Sequence, residues 1–398
     1  MAHKLRVGML TIAVICIPLF SVSILTASGC GWNWKYFPSD DWKATSPELQ
    51  GMNSTVIEGM YDFIANKKLN LQSVLIVRNG FIIEEEYLFN YARVPSDIFM
   101  APYDDYYYDQ IHDDRLHAVW SVTKSVTSLL IGIAINKGFI DSVDQTFFEI
   151  FPDKWNPMYY NETKKDISIE DLLTQTSGLQ WNELVDGFAI WPAYGYSLFY
   201  ILNKTLVAEP STVFNYNTGN SELLAAILQE RTGMKASEFA RKYLFEPIGL
   251  QATEWEWLES PWPWGSGPVA NISHGGFGIY MTPQAMARIG LLCLNNGNWA
   301  GRQVVPAAWI TTSTQPHVTE GIFDPTKDYG YLWWISPNYY CALGLFGQRI
   351  IVIPEYDIVV VFTAEISAIV VPEMDYIINT YIIGAVIPPP WHLPWLWH

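Results

Sequence analysis

Apolar residues recur at helical spacing in some parts of this 398-residue chain and form short β-branched runs in others. Helical spacing predicts a first helix over residues 47–65. The following stretch, SVLIVRNGFIIEEEYLF, predicts two strands joined at Asn79-Gly80, a pair that tolerates the positive φ angles of a tight hairpin turn. A strongly apolar helix is then predicted over residues 121–136, ending beside Gly138 as a glycine-capped helix does.

Residues 147–263 show mostly helical and loop patterns. Ser168 is predicted to cap one helix, with Asp171 three residues on, close to the capping-box pattern. Three further helices are predicted from SELLAAILQERTG, from KASEFARKYLFEPIGL, which should stop before Pro247, and from TPQAMARIGLLCLNNG. Late strands are predicted in YGYLWWI, LGLFGQRIIVIP and DIVVVFTA, and a last helix over about 372–387.

Strands near both ends with helices between them predict an α+β fold, an α/β sandwich with an inserted helical region over about 140–280. Strands from the N-terminal and C-terminal parts should form one antiparallel sheet. A functional cleft is expected between the sheet and the helical region.

The first 30 residues have the pattern of an export segment. Lys4 and Arg6 precede an apolar run over residues 7–27, near the ~20 residues that span a bilayer. Three alternatives stay open for residues 1–30: a cleaved signal peptide, a retained membrane anchor, or a lipoprotein modified at Cys30. Each predicts an extracytoplasmic protein, secreted or membrane-anchored. Residues 31–387 should then form one domain, followed by a non-helical, Pro- and Trp-rich tail at 388–398.

Composition narrows the classes of partner and cofactor. The formal net charge of −17 argues against a nucleic-acid partner, because phosphates require a basic patch. None of the four cysteines forms a Cys-x-x-Cys pair, and Cys293 and Cys341 are predicted to be buried thiols. The segment YDDYYYDQIHDD has the spacing of neither a calcium loop nor a zinc site, so we predict a solvated loop there. We expect no metal and no cofactor.

The chain contains one Ser-x-x-Lys sequence, at Ser121 and Lys124, where the apolar helix begins. Residues three apart share a helix face, so the Lys124 amine can approach the Ser121 hydroxyl. A serine N–H at a helix start lacks an intrahelical partner and lies at the positive end of the dipole, where an oxyanion is stabilised. Burial among apolar neighbours would lower the pKa of Lys124. The motif alone is equally compatible with a helix-capping serine and a solvated lysine.

Other catalytic patterns are absent from the sequence. There is no Gly-x-Ser-x-Gly, no His-Glu-x-x-His and no phosphate-binding Gly-x-x-x-x-Gly-Lys. The seven histidines are scattered, and the sequence identifies no partner for His274 or His317.

Five segments in order resemble one known family: HAVWSVTKSVTSLLIGIAINKG, ISIEDLLTQTSGLQWNE, EPSTVFNYNTGNSELLAAILQERTG, HGGFGIYMTPQAMARIGLLCLNNGNWAGRQVVPAAWI, and YGYLWWI followed by ALGLFGQRIIVIPEYDIVVVFTA. Together they resemble the β-lactamase-related serine hydrolases, which include class C β-lactamases, esterases and 6-aminohexanoate-dimer hydrolases. The resemblance spans roughly residues 73–387. It implies a β-lactamase/transpeptidase-like fold and acyl-enzyme chemistry.

The resemblance also implies roles for particular residues. Ser121 matches the nucleophile, Lys124 the lysine that helps to deprotonate it, and Tyr216 in FNYNTG the tyrosine that relays protons. The oxyanion hole would combine the Ser121 N–H with an N–H near residues 345–348. The candidate substrate- or oxyanion-contacting residues are Trp181, Thr218, Leu345, Gly347 and Gln348.

The sequence departs from the family pattern at two positions. Thr218 stands where the Tyr-x-Asn motif has its asparagine, with Asn217 adjacent, and Leu345 begins the triplet that is Lys-Thr-Gly or His-x-Gly in relatives. Leucine cannot bind a β-lactam carboxylate as lysine does. Arg349 would share a strand face with Leu345. We therefore predict a hydrolase of a small-molecule ester, amide or short peptide. The alternatives are a penicillin-binding or D-amino-acid peptidase (or β-lactamase), and a catalytically silent binding protein.

Overall fold

The computed structural model describes residues 35–39, 41–88, 116–151, 162–190, 197–261, 271–319, 326–366 and 372–388. All of these ranges belong to one unit, Lys35–His398. The predicted export segment, the YDDYYYDQIHDD segment and nearly all of the tail lie outside the described residues. None of the helices in the described ranges is both long and apolar enough to cross a membrane.

The described chain alternates short strands with helices of 3 to 15 residues. The helices are α1 (Ser54–Lys67), α2 (Val122–Asn136), α3 (Phe147–Ile150), α4 (Ile169–Leu173), α5 (Phe188–Ile190), α6 (Ser197–Leu202), α7 (Thr218–Thr232), α8 (Ala236–Ala240), α9 (Pro283–Leu294), α10 (Ala307–Ser313) and α11 (Pro372–Ile377). The strands are β1 (Leu71–Arg78), β2 (Phe81–Tyr87), β3 (His117–Ala118), β4 (Trp255–Trp257), β5 (Glu259–Pro261), β6 (Asn271–Ser273), β7 (Ile279–Met281), β8 (Asn298–Trp299), β9 (Arg302–Gln303), β10 (Asp328–Tyr329), β11 (Trp334–Ile335), β12 (Tyr340–Leu343), β13 (Arg349–Ile353) and β14 (Ile358–Ala364).

The main sheet joins the N-terminal hairpin to the C-terminal strands, as the sequence predicts. Its order is β10-β11-β12-β13-β14-β1-β2, and every neighbouring pair is antiparallel. The hairpin turn has φ of 53° at Asn79 and 85° at Gly80, which confirms the predicted tight turn. Between β1 and β14, the buried hydroxyls of Ser73 and Thr363 share a hydrogen bond of 2.6 Å. That bond satisfies two polar groups inside an otherwise apolar core.

Helix α2 is the central helix of the molecule, because every residue from Val122 to Ala134 is buried. It packs against α7, and α9 covers β13 and β14. Gly290 permits this last approach, since a Cβ there would lie 2.4 Å from the Val359 side chain. A small three-stranded sheet, β3-β7-β4, places His117 and Ala118 directly before α2. The start of α2 is therefore held between the helical region and the main sheet.

Three predicted helix boundaries are wrong in detail. Helix α1 begins at Ser54, because Gly51 with φ of 70° ends a separate 3₁₀ turn at Pro47–Gln50. The helix predicted to stop before Pro247 is followed instead by a π turn and by the 3₁₀ turn Glu246–Ile248, which contains Pro247. Pro247 occupies an early position of that turn, where its missing N–H costs no hydrogen bond. The last helix changes after Ile377 into π and 3₁₀ turns that end at Ala385. The predicted capping box at Ser168 and Asp171 is confirmed.

Candidate active site

The Ser121 hydroxyl lies at the start of α2 and does not cap the helix. Ser121 is the residue before the first helical turn, yet its side chain accepts no capping hydrogen bond. Its neighbour Trp120 has a left-handed φ of 52°, so a sharp turn presents the serine. Within the described residues no hydrogen bond is made by the Ser121 N–H. This N–H is therefore available as an oxyanion donor.

Lys124 is buried one turn further along α2, with 1% of its surface exposed. Its Nζ donates to Ser121 Oγ at 3.0 Å, to Thr218 Oγ1 at 2.8 Å and to the Gly276 carbonyl at 2.9 Å. Burial lowers the pKa of Lys124 from its usual value to about 8, against the opposing charges of Glu183 and Glu222. A lysine of this pKa is about one tenth neutral at pH 7 and half neutral near pH 8, so it can act as a base.

Tyr216 lies directly before α7 and completes the group around the serine hydroxyl. Its ring centroid is 4.9 Å from Lys124 Nζ, and its hydroxyl hydrogen-bonds Ser121. Burial and the charge of Glu183 raise the pKa of Tyr216, and the bond to Ser121 opposes that rise. The ring stacks on Trp334 with centroids 5.8 Å apart. Tyr216 is therefore held rigidly as a protonated phenol that can donate to a leaving group.

Thr218, the first residue of α7, also reaches the lysine. Its hydroxyl accepts from Lys124 and donates to a carboxyl oxygen of Glu183. The adjacent Asn217 instead caps α7, since its side-chain oxygen accepts from the Asn220 N–H at 3.3 Å. The departure from Tyr-x-Asn thus places a hydroxyl, and not an amide, against the lysine.

Two carboxyl side chains that the sequence analysis did not single out support this group. Glu183 accepts from Trp181 Nε1 at 2.6 Å and from the Thr218 N–H at 3.0 Å. Glu222 is fully buried and accepts from the Gly276 N–H at 3.0 Å. Two sequence features could have drawn attention to them: Glu183 ends the WNE that follows SGLQ, and Glu222 lies in the apolar helix pattern SELLAAIL.

His274 has a partner that the sequence did not reveal. Its Nδ1 lies 3.1 Å from Glu222, and its ring stacks on Phe277 at 4.2 Å. The glycines after it are required for close packing, since a Cβ at Gly275 would lie 2.0 Å from the Ser221 carbonyl. A Cβ at Gly276 would lie 2.7 Å from Thr218 Cγ2. The HGGFG segment therefore brings the Gly276 carbonyl to Lys124.

His317 lies elsewhere, where its ring stacks on that of Tyr331 and its Nε2 bonds the Thr312 carbonyl.

The predicted strand at residues 345–347 is wrong. These residues form a 3₁₀ turn between β12 and β13, with a left-handed φ of 62° at Phe346 and 100° at Gly347. A Cβ at Gly344 would lie 2.3 Å from the Val119 carbonyl, and the Phe346 ring lies 5.5 Å from that of Trp120. The turn therefore lies against the residues that precede Ser121. The Gly347 N–H donates to the Gly344 carbonyl at 3.3 Å, so Leu345, and not Gly347, remains a candidate for the second oxyanion donor.

The side chain of Gln348 bonds the neighbouring strand of the sheet, and that of Arg349 bonds helix α11. The Gln348 amide bonds both backbone groups of Ala364, so only its N–H is left as a candidate oxyanion donor. Buried Arg349 donates to Asp375 at 3.1 Å from β13, whereas Leu345 lies in the turn. The expectation that Arg349 and Leu345 share a strand face is therefore wrong. Cys293 and Cys341 are buried thiols, as predicted.

The lowered pKa of Lys124 predicts how the rate of ester hydrolysis would depend on pH if Lys124 acts as a base. We expect kcat/KM for an uncharged ester to rise about tenfold per pH unit on the acidic side and to level off above an apparent pKa near 8. The reason is that Lys124 must lose its proton before it can accept one from Ser121. Initial rates of p-nitrophenyl ester hydrolysis between pH 5.5 and 9.5, corrected for spontaneous hydrolysis, provide the measurement. A flat profile across this range would contradict the role of Lys124 as base.

The sequence of this chain matches a known protein family and a characterised relative. The family model described as Beta-lactamase matches residues 73–369. A 6-aminohexanoate-dimer hydrolase from Paenarthrobacter ureafaciens is 25% identical over 289 residues, which cover 65% of this chain and 68% of that protein.

Solved structures show the same fold at lower identity. A Bacillus anthracis protein provisionally named 6-aminohexanoate-dimer hydrolase superposes with a TM-score of 0.64 at 18% identity, covering 88% of this chain and 89% of that chain. An octameric penicillin-binding protein homologue from Pyrococcus abyssi has a TM-score of 0.61 at 17% identity, covering 83% of this chain and 77% of that chain.

Proposed function

The chain belongs to the beta-lactamase family, whose model covers more than half of it, and on that premise we propose that it cleaves an ester or amide through an acyl-enzyme on Ser121. Its fold is the predicted α+β fold of the β-lactamase/transpeptidase type, and its relatives are hydrolases. The observation that carries the proposal is the hydrogen-bonded group of Ser121, Lys124 and Tyr216 at the start of a buried helix.

Acylation follows from the contacts of these three residues. Neutral Lys124 accepts the Ser121 proton over their 3.0 Å hydrogen bond while Oγ attacks the substrate carbonyl carbon. The resulting oxyanion would be stabilised by the Ser121 N–H together with the N–H of Leu345 or Gln348. Tyr216 donates its phenolic proton to the departing oxygen or nitrogen and regains one from protonated Lys124.

Deacylation uses the same groups in the opposite direction. A water molecule gives a proton to the Tyr216–Lys124 pair and attacks the acyl carbon. The ester bond to Ser121 Oγ then breaks, and the serine recovers its proton. The proposed step uses no histidine, and the three histidines of the described ranges have other partners: His117 bonds Gln72, His274 bonds Glu222 and His317 bonds Thr312.

The site favours a substrate without a carboxylate beside the scissile bond. Leu345 supplies no cation where relatives have lysine, and Glu183 places a negative charge next to Thr218. Aromatic rings of Trp120, Phe346 and Trp334 lie around the nucleophile and suit an apolar acyl group. A relative named for hydrolysing the 6-aminohexanoate dimer favours a short amide or the corresponding ester.

The second candidate function is a penicillin-binding or D-amino-acid peptidase, favoured by the structural match to a penicillin-binding protein homologue. A side-by-side assay of p-nitrophenyl butyrate, a D-alanine anilide and a fluorescent penicillin decides between the two. We expect turnover of the ester and little penicillin adduct. A stable penicillin adduct with no ester turnover favours the second function. Inertness of well-folded protein toward all three would favour a silent binding protein.

We also propose that the protein is exported, on the strength of Lys4, Arg6 and the apolar run that follows them. Fractionation of cells expressing the full chain, followed by mass determination of its N-terminus, distinguishes cleavage, anchoring and lipidation at Cys30. Recovery of the intact chain with the cytoplasmic fraction would contradict export.

A further inference from the structure

Lys124 has three hydrogen-bonding neighbours. When its amine is neutral, it can donate to two of them, and its single lone pair can face only the third. A neutral amine has two N–H donors and one lone pair, whereas its three neighbours here are all oxygen atoms. The Gly276 carbonyl can only accept. The direction of the remaining two bonds depends on where the hydroxyl protons of Ser121 and Thr218 lie.

Glu183 fixes the direction of the Thr218 hydroxyl. Its Oε1 accepts the hydroxyl proton, and its Oε2 accepts the Thr218 N–H at 3.0 Å. With its proton engaged, the Thr218 oxygen can only accept from Lys124, at 2.8 Å. The two N–H groups of neutral Lys124 then point to Thr218 and Gly276, and the lone pair points to Ser121 Oγ.

Glu222 holds the other acceptor in the same way. It accepts from the Gly276 N–H at 3.0 Å, so the residue whose carbonyl faces Lys124 is anchored on α7 through its own N–H. His274 bonds the second oxygen of Glu222 and prevents its rotation. Each carboxyl group therefore binds the residue whose oxygen receives a lysine proton.

We propose that Glu183, acting through Thr218, is a positioning residue that aims the lone pair of Lys124 at Ser121, with Glu222 as its counterpart at Gly276. This inference rests on the proposed function, because it matters only where Lys124 is the base. Glu183 need not contact the substrate or the reacting atoms to exert the effect. The threonine at the usual asparagine position is thereby explained, since a hydroxyl can accept from lysine while it donates to a carboxylate.

The test is a double-mutant cycle on Glu183 and Thr218. Glu183→Gln presents an amide that can donate to Thr218 and reverse its hydroxyl, so we expect kcat to fall about 10- to 100-fold. The acidic limb of the pH profile should also move to lower pH, because a negative charge that raises the pKa of Lys124 is lost. Thr218→Val should lower kcat similarly, and adding Glu183→Gln to it should lower kcat no further.

Two further variants separate positioning from packing. Thr218→Ser keeps the hydroxyl and should retain most of the activity, which keeps the inference testable if Glu183→Gln fails to fold. Asp186→Asn changes a carboxyl in the same turn that bonds Tyr200 and the Asn182 N–H, and it should leave the acidic limb in place. Thermal unfolding of each variant reports its fold.

The outcomes distinguish a failure of the positioning role of Glu183 from a failure of the proposed function. Equal activities of Thr218→Val and Thr218→Ser would overturn the inference. So would additive losses in the cycle with an unshifted acidic limb, because Glu183 would then act through Trp181 and the backbone alone. If a fluorophosphonate probe does not label wild-type protein at Ser121, the proposed function itself fails. Labelled wild type with unaffected variants overturns only the role of Glu183.

Discussion

Ser121→Ala is expected to lower kcat/KM for ester hydrolysis by about 10⁴-fold or more, because it removes the atom that would form the proposed acyl-enzyme. The hydroxyl caps no helix, so its loss should leave the unfolding temperature nearly unchanged. Steady-state kinetics on a p-nitrophenyl ester and thermal unfolding of the same preparations provide the two measurements.

Ser128→Ala is the matched control for this loss. Ser128 lies two turns along α2, and its buried hydroxyl has no hydrogen-bond partner within the described part of the chain. Its removal should change neither activity nor stability much, since no bond is broken. Residual activity of Ser121→Ala within tenfold of this control would contradict the assigned nucleophile.

Lys124→Met should have the second-largest effect, with a fall in kcat/KM of about 10³-fold or more. Methionine fills a similar volume but cannot accept the serine proton. The pH dependence near 8 should disappear together with the rate, because the titrating group is gone. The folded state should tolerate the change, since an apolar side chain replaces a buried amine that is costly to charge.

Lys124→Arg and Lys137→Met complete that comparison. Arginine keeps a positive charge but does not lose its proton, so Lys124→Arg should be as inactive as Lys124→Met if the lysine acts as base. Exposed Lys137, at the C-terminal end of α2, should be replaceable by methionine without loss of rate. Substantial activity in Lys124→Arg would mean that the lysine supplies charge and not proton transfer.

Features set by neighbouring residues were predictable from the sequence. The hairpin at Asn79-Gly80 follows from two residues that adopt positive φ, and the approach of Lys124 to Ser121 follows from their spacing of three on one helix. The capping box at Ser168 is equally local. Each of these depends on geometry within one or two turns of chain, which propensity and periodicity describe well.

The rest of the site depends on contacts that span the chain. Lys124 hydrogen-bonds Thr218, which is 94 residues away in sequence, and Gly276, which is 152 residues away. The periodicity of the sequence carries no information about contacts between such distant residues. Glu183 lies in a π-helical turn, Glu183–Gly187, that the pattern of WNELVDG does not indicate. Sequence analysis therefore named the candidate nucleophile and base but not the carboxyl groups that lie beside them.

The error at residues 345–347 has a related cause. The β-branched and aromatic residues of LGLFGQRIIVIP predict one continuous strand, but Phe346 adopts a left-handed φ of 62°. Packing of the Phe346 ring against Trp120 accompanies this turn. A tertiary contact thus overrides local β propensity where the chain passes Trp120, the neighbour of Ser121.

Peptide mapping after reaction with a fluorophosphonate tests the central claim most directly. Wild-type protein labelled at pH 8, digested and examined by tandem mass spectrometry should carry one phosphonyl group, on the peptide that contains Ser121. Lys124→Met should be labelled far more slowly, and Ser121→Ala not at all. Labelling of wild-type protein at another serine, or none in well-folded protein, would contradict the account.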